Sequence, residues 1–489
     1  MKTMKKYVGG GYELKKNRRW SALKVLRVVS LAFVVVAGSC AIKTRSSSEK
    51  NKTQVQKPNI ILFFVDDLGW SDLGFRNPRF ESPNIDFLSA RGINFEQAYI
   101  ASPTCSPSRA TLQTGLHPAR LKMVRHIPGG AKNGFDNYGR TNNPYNFLET
   151  DPAHVPSANW LPLQYTTYAE ALKELGYYNS FIGKWHLGHE GFYPVNQGYD
   201  EQYGVSNFGH PHAYYPPYFM PSTDSSLLHV KGKYLTDLLT DKAVSFINNY
   251  KKDAPFMLTC SYYAVHTPHE GRRDLVAHFE KKGLEGKRAH HAAMVKATDE
   301  SVGRILEAIN KKGINDNTII IFLSDQGGFF ENKPFRGGKL NGEALYEGGA
   351  RVPFFFYWPG VTRENTLSNT LVQSTDLFPT LVEIAGGQAG KYAPLDGVSL
   401  VPHIKSGQPI QREAIFGYRA YEDLYASVRS GAWKLLAFRS GKTELYNIKN
   451  DREESDNVAA KNPHILGQLK SRLITWEQAM GVSEYSGFR

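Results

Sequence analysis

Three short apolar runs, residues 59–65 (NIILFFV), 255–262 (PFMLTCSY) and 318–323 (TIIIFL), constrain this chain more than any other feature. They are too short for buried helices and do not alternate apolar with polar, as a half-solvated strand would. Such runs read as strands covered on both faces. Residues 178–182 are strand-like as well. Between these stretches lie helical patterns at 166–175, 235–250 and 289–312, with Gly176 and Gly313 just beyond two of them. Strands separated by helices predict a parallel sheet with helices on both sides. Near residues 386–393 the pattern changes. Runs at 413–418, 426–438 and 444–448, broken by Ser430-Gly431 and Ser440-Gly441, precede a helix at about 462–480. That order predicts a smaller antiparallel α+β module.

The chain has 489 residues, which suits one large domain plus a smaller one. Its formal charge of +13 suggests a nucleic-acid binder until it is located along the chain. Residues 1–40 hold nine Lys/Arg against one acid, or +8, leaving +5 on the rest. The body is therefore only mildly basic, and a nucleic-acid role is disfavoured. A basic segment, a short apolar run at 28–37 and the small residues Ala37-Gly38-Ser39 before Cys40 fit an export signal. Cys40 in that setting is also placed like the lipidated cysteine of a bacterial lipoprotein. The expected organisation is a signal at 1–39, a tether at 40–57, a catalytic domain at 58–389 and a C-terminal subdomain at 390–489. The expected location is the periplasm, or the outer membrane and cell surface through a lipid anchor. Three cysteines, Cys40, Cys105 and Cys260, exclude a disulfide scaffold. Cys260 lies inside an apolar run and reads as core.

The residues just beyond each strand carry the chemistry. The first run ends in Asp66-Asp67, the second strand in Gly183-Lys184-Trp185-His186, the third in His266-Thr267-Pro268-His269 and the fourth in Ser324-Asp325-Gln326-Gly327. Ligand sites of open α/β sheets lie outside the carboxyl ends of the strands. Asp66, Asp67, Asp325 and Gln326 together offer hard oxygen donors suited to Ca²⁺ or Mg²⁺ rather than zinc. Either pair alone reads equally well as a helix cap or a turn. Pro107 fits the first turn of a helix, which places Cys105 at a helix N-terminus with Arg109 one turn on. Taken bare, Cys105 is either a low-pKa thiolate nucleophile with a histidine base or a structural cysteine. The loop from Phe208 to Tyr218, with His210 and His212, is rich in proline and aromatics. It reads as a sugar subsite or as surface packing.

Cys105-Ser106-Pro107-Ser108-Arg109, with Thr114-Gly115, Gly183-Lys184-Trp185-His186, His266-Thr267-Pro268 and Ser324-Asp325-Gln326-Gly327, resembles the type I sulfatases over residues 57–385. The segments Arg336–Lys339 and Tyr346–Pro353 also resemble a family block. Gln326 stands where many members have Asn, and the stretch between Lys339 and Tyr346 is longer than in many relatives. The resemblance implies an alkaline-phosphatase-like mixed, mostly parallel sheet between helices. It implies that a maturating enzyme converts Cys105 to 3-oxoalanine (formylglycine), and that Asp66, Asp67, Asp325, Gln326 and residue 105 hold one Ca²⁺. It further implies that one hydroxyl of the hydrated aldehyde attacks sulfur and the other is deprotonated to expel sulfate. Arg109 would position the diol, and His186, beside Lys184, would be the base. His266 and Lys339 would bind sulfate and protonate the leaving oxygen.

The expected substrate is a sulfated carbohydrate, with algal polysaccharides such as ulvan or carrageenan ahead of host glycosaminoglycans or mucin glycans. A phosphonate monoester or phosphodiester hydrolase of the same superfamily is the enzymatic alternative. A surface glycan-binding protein with a decayed site is the non-enzymatic one, and no residue of the metal or nucleophile set is missing.

Overall fold

The computed structural model describes residues 56–488 apart from 222–223 and 393. The expected signal, Cys40 and nearly all of the tether lie outside these residues. In the larger sheet the strands are β1 (Asn59–Val65), β2 (Ile93–Phe95), β3 (Tyr178–Gly183), β4 (Glu201–Tyr203), β5 (Phe256–Ser261), β6 (Thr318–Ser324), β7 (Phe354–Tyr357) and β8 (Thr366–Ser368). Their spatial order is β8-β2-β7-β6-β1-β5-β3-β4. All neighbouring pairs are parallel except those that β7 makes with β6 and β2. The sheet is thus mixed and mostly parallel.

The central strands are apolar throughout because both faces are covered. Ile61, Phe63 and Val65 pack on one face with α1 (Pro83–Arg91), α4 (Leu235–Asn249) and α5 (Gly286–Lys311). Ile60, Leu62 and Phe64 pack on the other with α2 (Cys105–Thr114), α3 (Tyr168–Glu174) and the helix Leu377–Ile384. Cys260 belongs to the first of these cores, and burial pushes its thiol above the ordinary range. The sequence pattern did not indicate α1, the helix Arg273–Lys281 or the antiparallel β7.

The smaller sheet is antiparallel, with β9 (Ile415–Tyr418), β10 (Leu424–Ser430), β11 (Trp433–Phe438) and β12 (Thr443–Asn447) in sequential order. Val428, Leu435 and Leu445 bury one face against Leu469, Leu473 and Trp476 of α6 (Pro463–Met480). Buried charges tie this sheet to the large domain through Glu347 of the short helix Glu347–Ala350. Glu347 accepts from the Tyr99 hydroxyl at 2.6 Å and from Lys434 Nζ of β11 at 2.9 Å. Lys434 also pairs with Glu454 at 2.9 Å. Among the described residues no helix is long and apolar enough to cross a membrane.

Candidate active site

Strand register assembles the site before any side chain is considered. Val65 is level with Ser324, and Phe64 with Ser261, which is level with Gly183. The residues that leave these strands, Asp66, Asp325 and Lys184, therefore emerge side by side. Asp67 and His186 both adopt left-handed backbone, with φ of 61° and 53°. That conformation is costly for residues other than glycine and clusters at functional turns.

α2 supplies the rest. It starts at Cys105, and Gly115 ends it with φ 68° and an N–H donated to Thr111 O. Arg109, one turn inside, is buried beneath the carboxylates. Its Nη1 donates to Ser261 Oγ at 2.7 Å and to Lys184 O at 3.0 Å, and its Nη2 donates to Asp325 Oδ2 at 2.9 Å. Asp66 Oδ1 lies 3.4 Å from the same Nη2. Arg109 thus joins α2, β3, β5 and β6 through one guanidinium, and Ser261, not anticipated from the sequence, is its anchor.

Three buried carboxylates face three cations. Lys184 Nζ pairs with Asp66, and Lys339 Nζ with Asp67. The Asp67 amide donates to Asp325 Oδ1 at 3.0 Å. Burial, reinforced by Asp66, pushes Asp325 up to about 8. Asp66 Oδ1 is buried without a hydrogen-bond partner among the described residues. One oxygen each of Asp66 and Asp325 lies within 4.8 Å of Cys105 Sγ and of the other, and Asp67, Cys105 and His266 form a second such group. A carboxylate raised by burial and a like-charged neighbour, and an oxygen held only by a 3.4 Å ion pair, both mark a place that fits a divalent cation. Gln326 donates Nε2 to Asp67 Oδ1 at 2.6 Å and to Cys105 Sγ at 3.3 Å. The amide thus sits among the carboxylates as the sequence predicts, with its nitrogen turned inward; an oxygen donor from this residue requires the amide turned over.

Cys105 is buried at the centre. Burial raises its thiol, but the ammonium groups of Lys184 and Lys339 and hydrogen bonding with His186 and His266 outweigh it, so the thiol lies well below its ordinary range. His186 Nε2 is 3.0 Å from Ile127 O, and burial lowers the ring's pKa. His266 Nδ1 is 2.8 Å from Thr267 O, while Nε2 lies 3.7 Å from Asp67 Oδ2. Burial opposes protonation of His266, but the Asp67 carboxylate prevails and raises it.

These residues open onto a cleft of about 840 Å³. His210 and His212 line it, as the sugar-subsite reading of their loop requires. The His210 ring stacks on His266 at 5.4 Å between centroids. His269 does not line the cleft; it packs against Phe329, Phe330 and His291. Three further cleft residues, His126, Arg419 and Tyr421, were not anticipated. They carry no motif and stand in segments without a strong periodic pattern.

The sequence and the fold both have counterparts among known proteins. A family model described as Sulfatase matches residues 58–387, and one described as N-sulphoglucosamine sulphohydrolase, C-terminal, matches residues 338–479. A Sulfatase of Formosa agariphila is 31% identical, with 88% of this chain and 89% of that protein aligned. The N-acetylgalactosamine-6-sulfatase of Homo sapiens is 32% identical over 74% of this chain and 69% of its own length. The crystal structure of Ps i-CgsB in complex with k-i-k-neocarrahexaose is 30% identical, with a TM-score of 0.75 over 88% of this chain and 94% of that one.

Proposed function

The chain belongs to the sulfatase family and is a sulfuric ester hydrolase acting on carbohydrate sulfate esters; from that premise we propose that its substrates are oligosaccharides of a sulfated algal polysaccharide, of the carrageenan type before ulvan. The likeness to a protein crystallised with a neocarrahexaose supports that choice, as does a cleft with room for more than one sugar ring. Host glycosaminoglycans and mucin glycans rank behind it. The observation that carries the reading is Cys105 at the buried start of α2, enclosed by carboxylates and cations from three strand ends, from α2 itself and from the loop at Lys339.

Asp66, Asp67, Asp325 and Gln326 would hold one Ca²⁺, which would supply Lewis-acid charge against the sulfate oxygens, and 3-oxoalanine made from Cys105 by a maturating enzyme would supply the oxygen nucleophile. Arg109 fixes residue 105 relative to the carboxylates, since its donors are committed to β3, β5 and β6. Lys184 and Lys339 offset the negative charge of a bound sulfate ester. His186, held by Ile127 O, takes a proton at residue 105. His266 presents Nε2 to the leaving oxygen, because Thr267 O holds Nδ1. Export, with Cys40 as a lipid anchor, would bring the enzyme to such substrates.

Turnover of carrageenan-derived oligosaccharide sulfates against phosphodiesters and phosphonate monoesters of matched alcohols tests the reading. Sulfate release should exceed phosphoester cleavage by orders of magnitude. A preference for the phosphoesters would move the chain to the rival activity.

A further inference from the structure

The proposed mechanism leaves one wall of the cleft unused. Residues 126–130 and the loop between β9 and β10 build it, and His126, Arg419 and Tyr421 belong to it together with Thr104 and Cys105. Arg419 is 8% exposed, and three acceptors hold it. Nη1 donates to Pro103 O and to Thr104 Oγ1, the latter at 2.9 Å, and Nη2 donates to Glu422 Oε1 at 2.9 Å. A guanidinium has five N–H donors, so one on Nη2 and the buried Nε–H, which has no partner among the described residues, remain. The Tyr421 hydroxyl is 3.2 Å from Thr104 Oγ1. Thr104 directly precedes Cys105, so this anchoring fixes Arg419 beside the reacting residue. His126 is exposed to the cleft, and its ring lies within electrostatic reach of Cys105, His186 and Arg419.

Of the side chains of this wall, Arg419 offers donors alone, and a neutral imidazole at His126 adds one N–H. The acid beside Arg419, Glu422, pairs with its Nη2 at 2.9 Å, and the acid that lines the cleft, Asp136, is taken by Arg140 at 2.7 Å and by the Tyr138 amide at 2.8 Å. A rigid, permanently charged guanidinium beside a free imidazole suits an acceptor-only group.

We propose that His126 and Arg419 form a second anion subsite, which binds a sulfate or carboxylate substituent on the sugar bearing the scissile sulfate or on the one next to it. The C-terminal module is then part of the substrate-reading surface. The inference rests on the sulfatase reading and sharpens its substrate class to carbohydrates carrying at least two anionic groups.

The test uses oligosaccharides with one common scissile sulfate and a neighbouring substituent that is a hydroxyl, a sulfate or a carboxylate. The wild type should favour one or both of the doubly anionic members by about tenfold or more in kcat/KM, chiefly through KM. His126→Gln and Arg419→Gln should each remove most of that preference, and Arg419→Lys should restore part of it. The sulfate and carboxylate arms identify which anion is read. His126 has no protein hydrogen bond to lose among the described residues, so its variant carries the test even if Arg419→Gln misfolds. Wild-type turnover of the singly sulfated member with no gain from a second anion overturns the subsite alone. An equal loss on all members in the variants also overturns it. No turnover of any member overturns the sulfatase reading and the subsite with it.

Discussion

At the scale of single residues, the site is a balance of charges held by hydrogen bonds. Asp325 is raised to about 8 by burial and Asp66, and it accepts from Arg109 at 2.9 Å. Removing its charge keeps its shape and takes away a hard oxygen ligand. Asp325→Asn should therefore weaken calcium binding at least tenfold, read as loss of the Ca²⁺-induced rise in melting temperature. An unchanged calcium response would remove Asp325 from the metal set. His266 is a different case, since it is assigned to the leaving oxygen. His266→Ala should slow sugar sulfates about a hundredfold, and activated aryl sulfates much less, because a good leaving group needs little protonation. Equal loss on both would contradict the assignment. The residues assigned to the reaction were legible because each lies just after a strand or sits in the Cys105–Arg109 motif, except Lys339, which was drawn from the family block Arg336–Lys339. His126 and Arg419 were not. Nearly 300 residues separate them, and they share a wall because Arg419 and Tyr421 are bonded to Pro103 and Thr104, just ahead of α2.

Elements explain why the site residues stay in place. The loop Asp325–Gly328 is pressed against the turn of helix Glu347–Ala350, where Gly327 donates its N–H to Gly349 O at 2.8 Å. A Cβ on Gly327 would stand 1.9 Å from Gly348 O and 2.7 Å from Gly349 Cα. Backbone cannot yield as a side-chain tip can, so Gly327→Ala should destabilise the fold by about 2 kcal/mol or more. It should also lower calcium affinity, because Asp325 and Gln326 would move with the loop. A variant with wild-type melting temperature and wild-type calcium binding would show that this contact is not needed. The sequence pattern found β1, β5 and β6 to within a residue or two, because strands buried on both faces are apolar throughout. It missed β2 and β8 because three-residue strands carry too little pattern, and α1 because its apolar face is narrow.

Across the whole molecule, acid should loosen the join between the large domain and the small module. His117 lies there, with Nε2 3.1 Å from Phe416 O, Nδ1 accepting the Ala119 N–H at 3.3 Å, and its ring edge-on to Trp476 at 4.7 Å. Both ring nitrogens are used in the neutral form, and protonation would cost the acceptor at Nδ1. Burial lowers its pKa from 6.5 to about 4. The unfolded chain then binds a proton that the folded one refuses, so this contribution is complete above pH 6.5 and declines as pH falls toward 4. The loss is at most about 3 kcal/mol. His117→Asn should flatten that part of the stability profile in denaturant titrations between these pH values, and an unaltered slope would contradict it. The fold and the metal set both serve one claim, that residue 105 is the reacting centre of a sulfate ester hydrolase. The most direct measurement pairs sulfate release from a sulfated oligosaccharide with mass spectrometry of the peptide containing position 105. Active enzyme should carry an aldehyde there in place of the thiol, with activity proportional to the converted fraction and absent in Cys105→Ala. Full activity from a chain whose Cys105 remains an unmodified thiol, or from Cys105→Ala, would contradict the account.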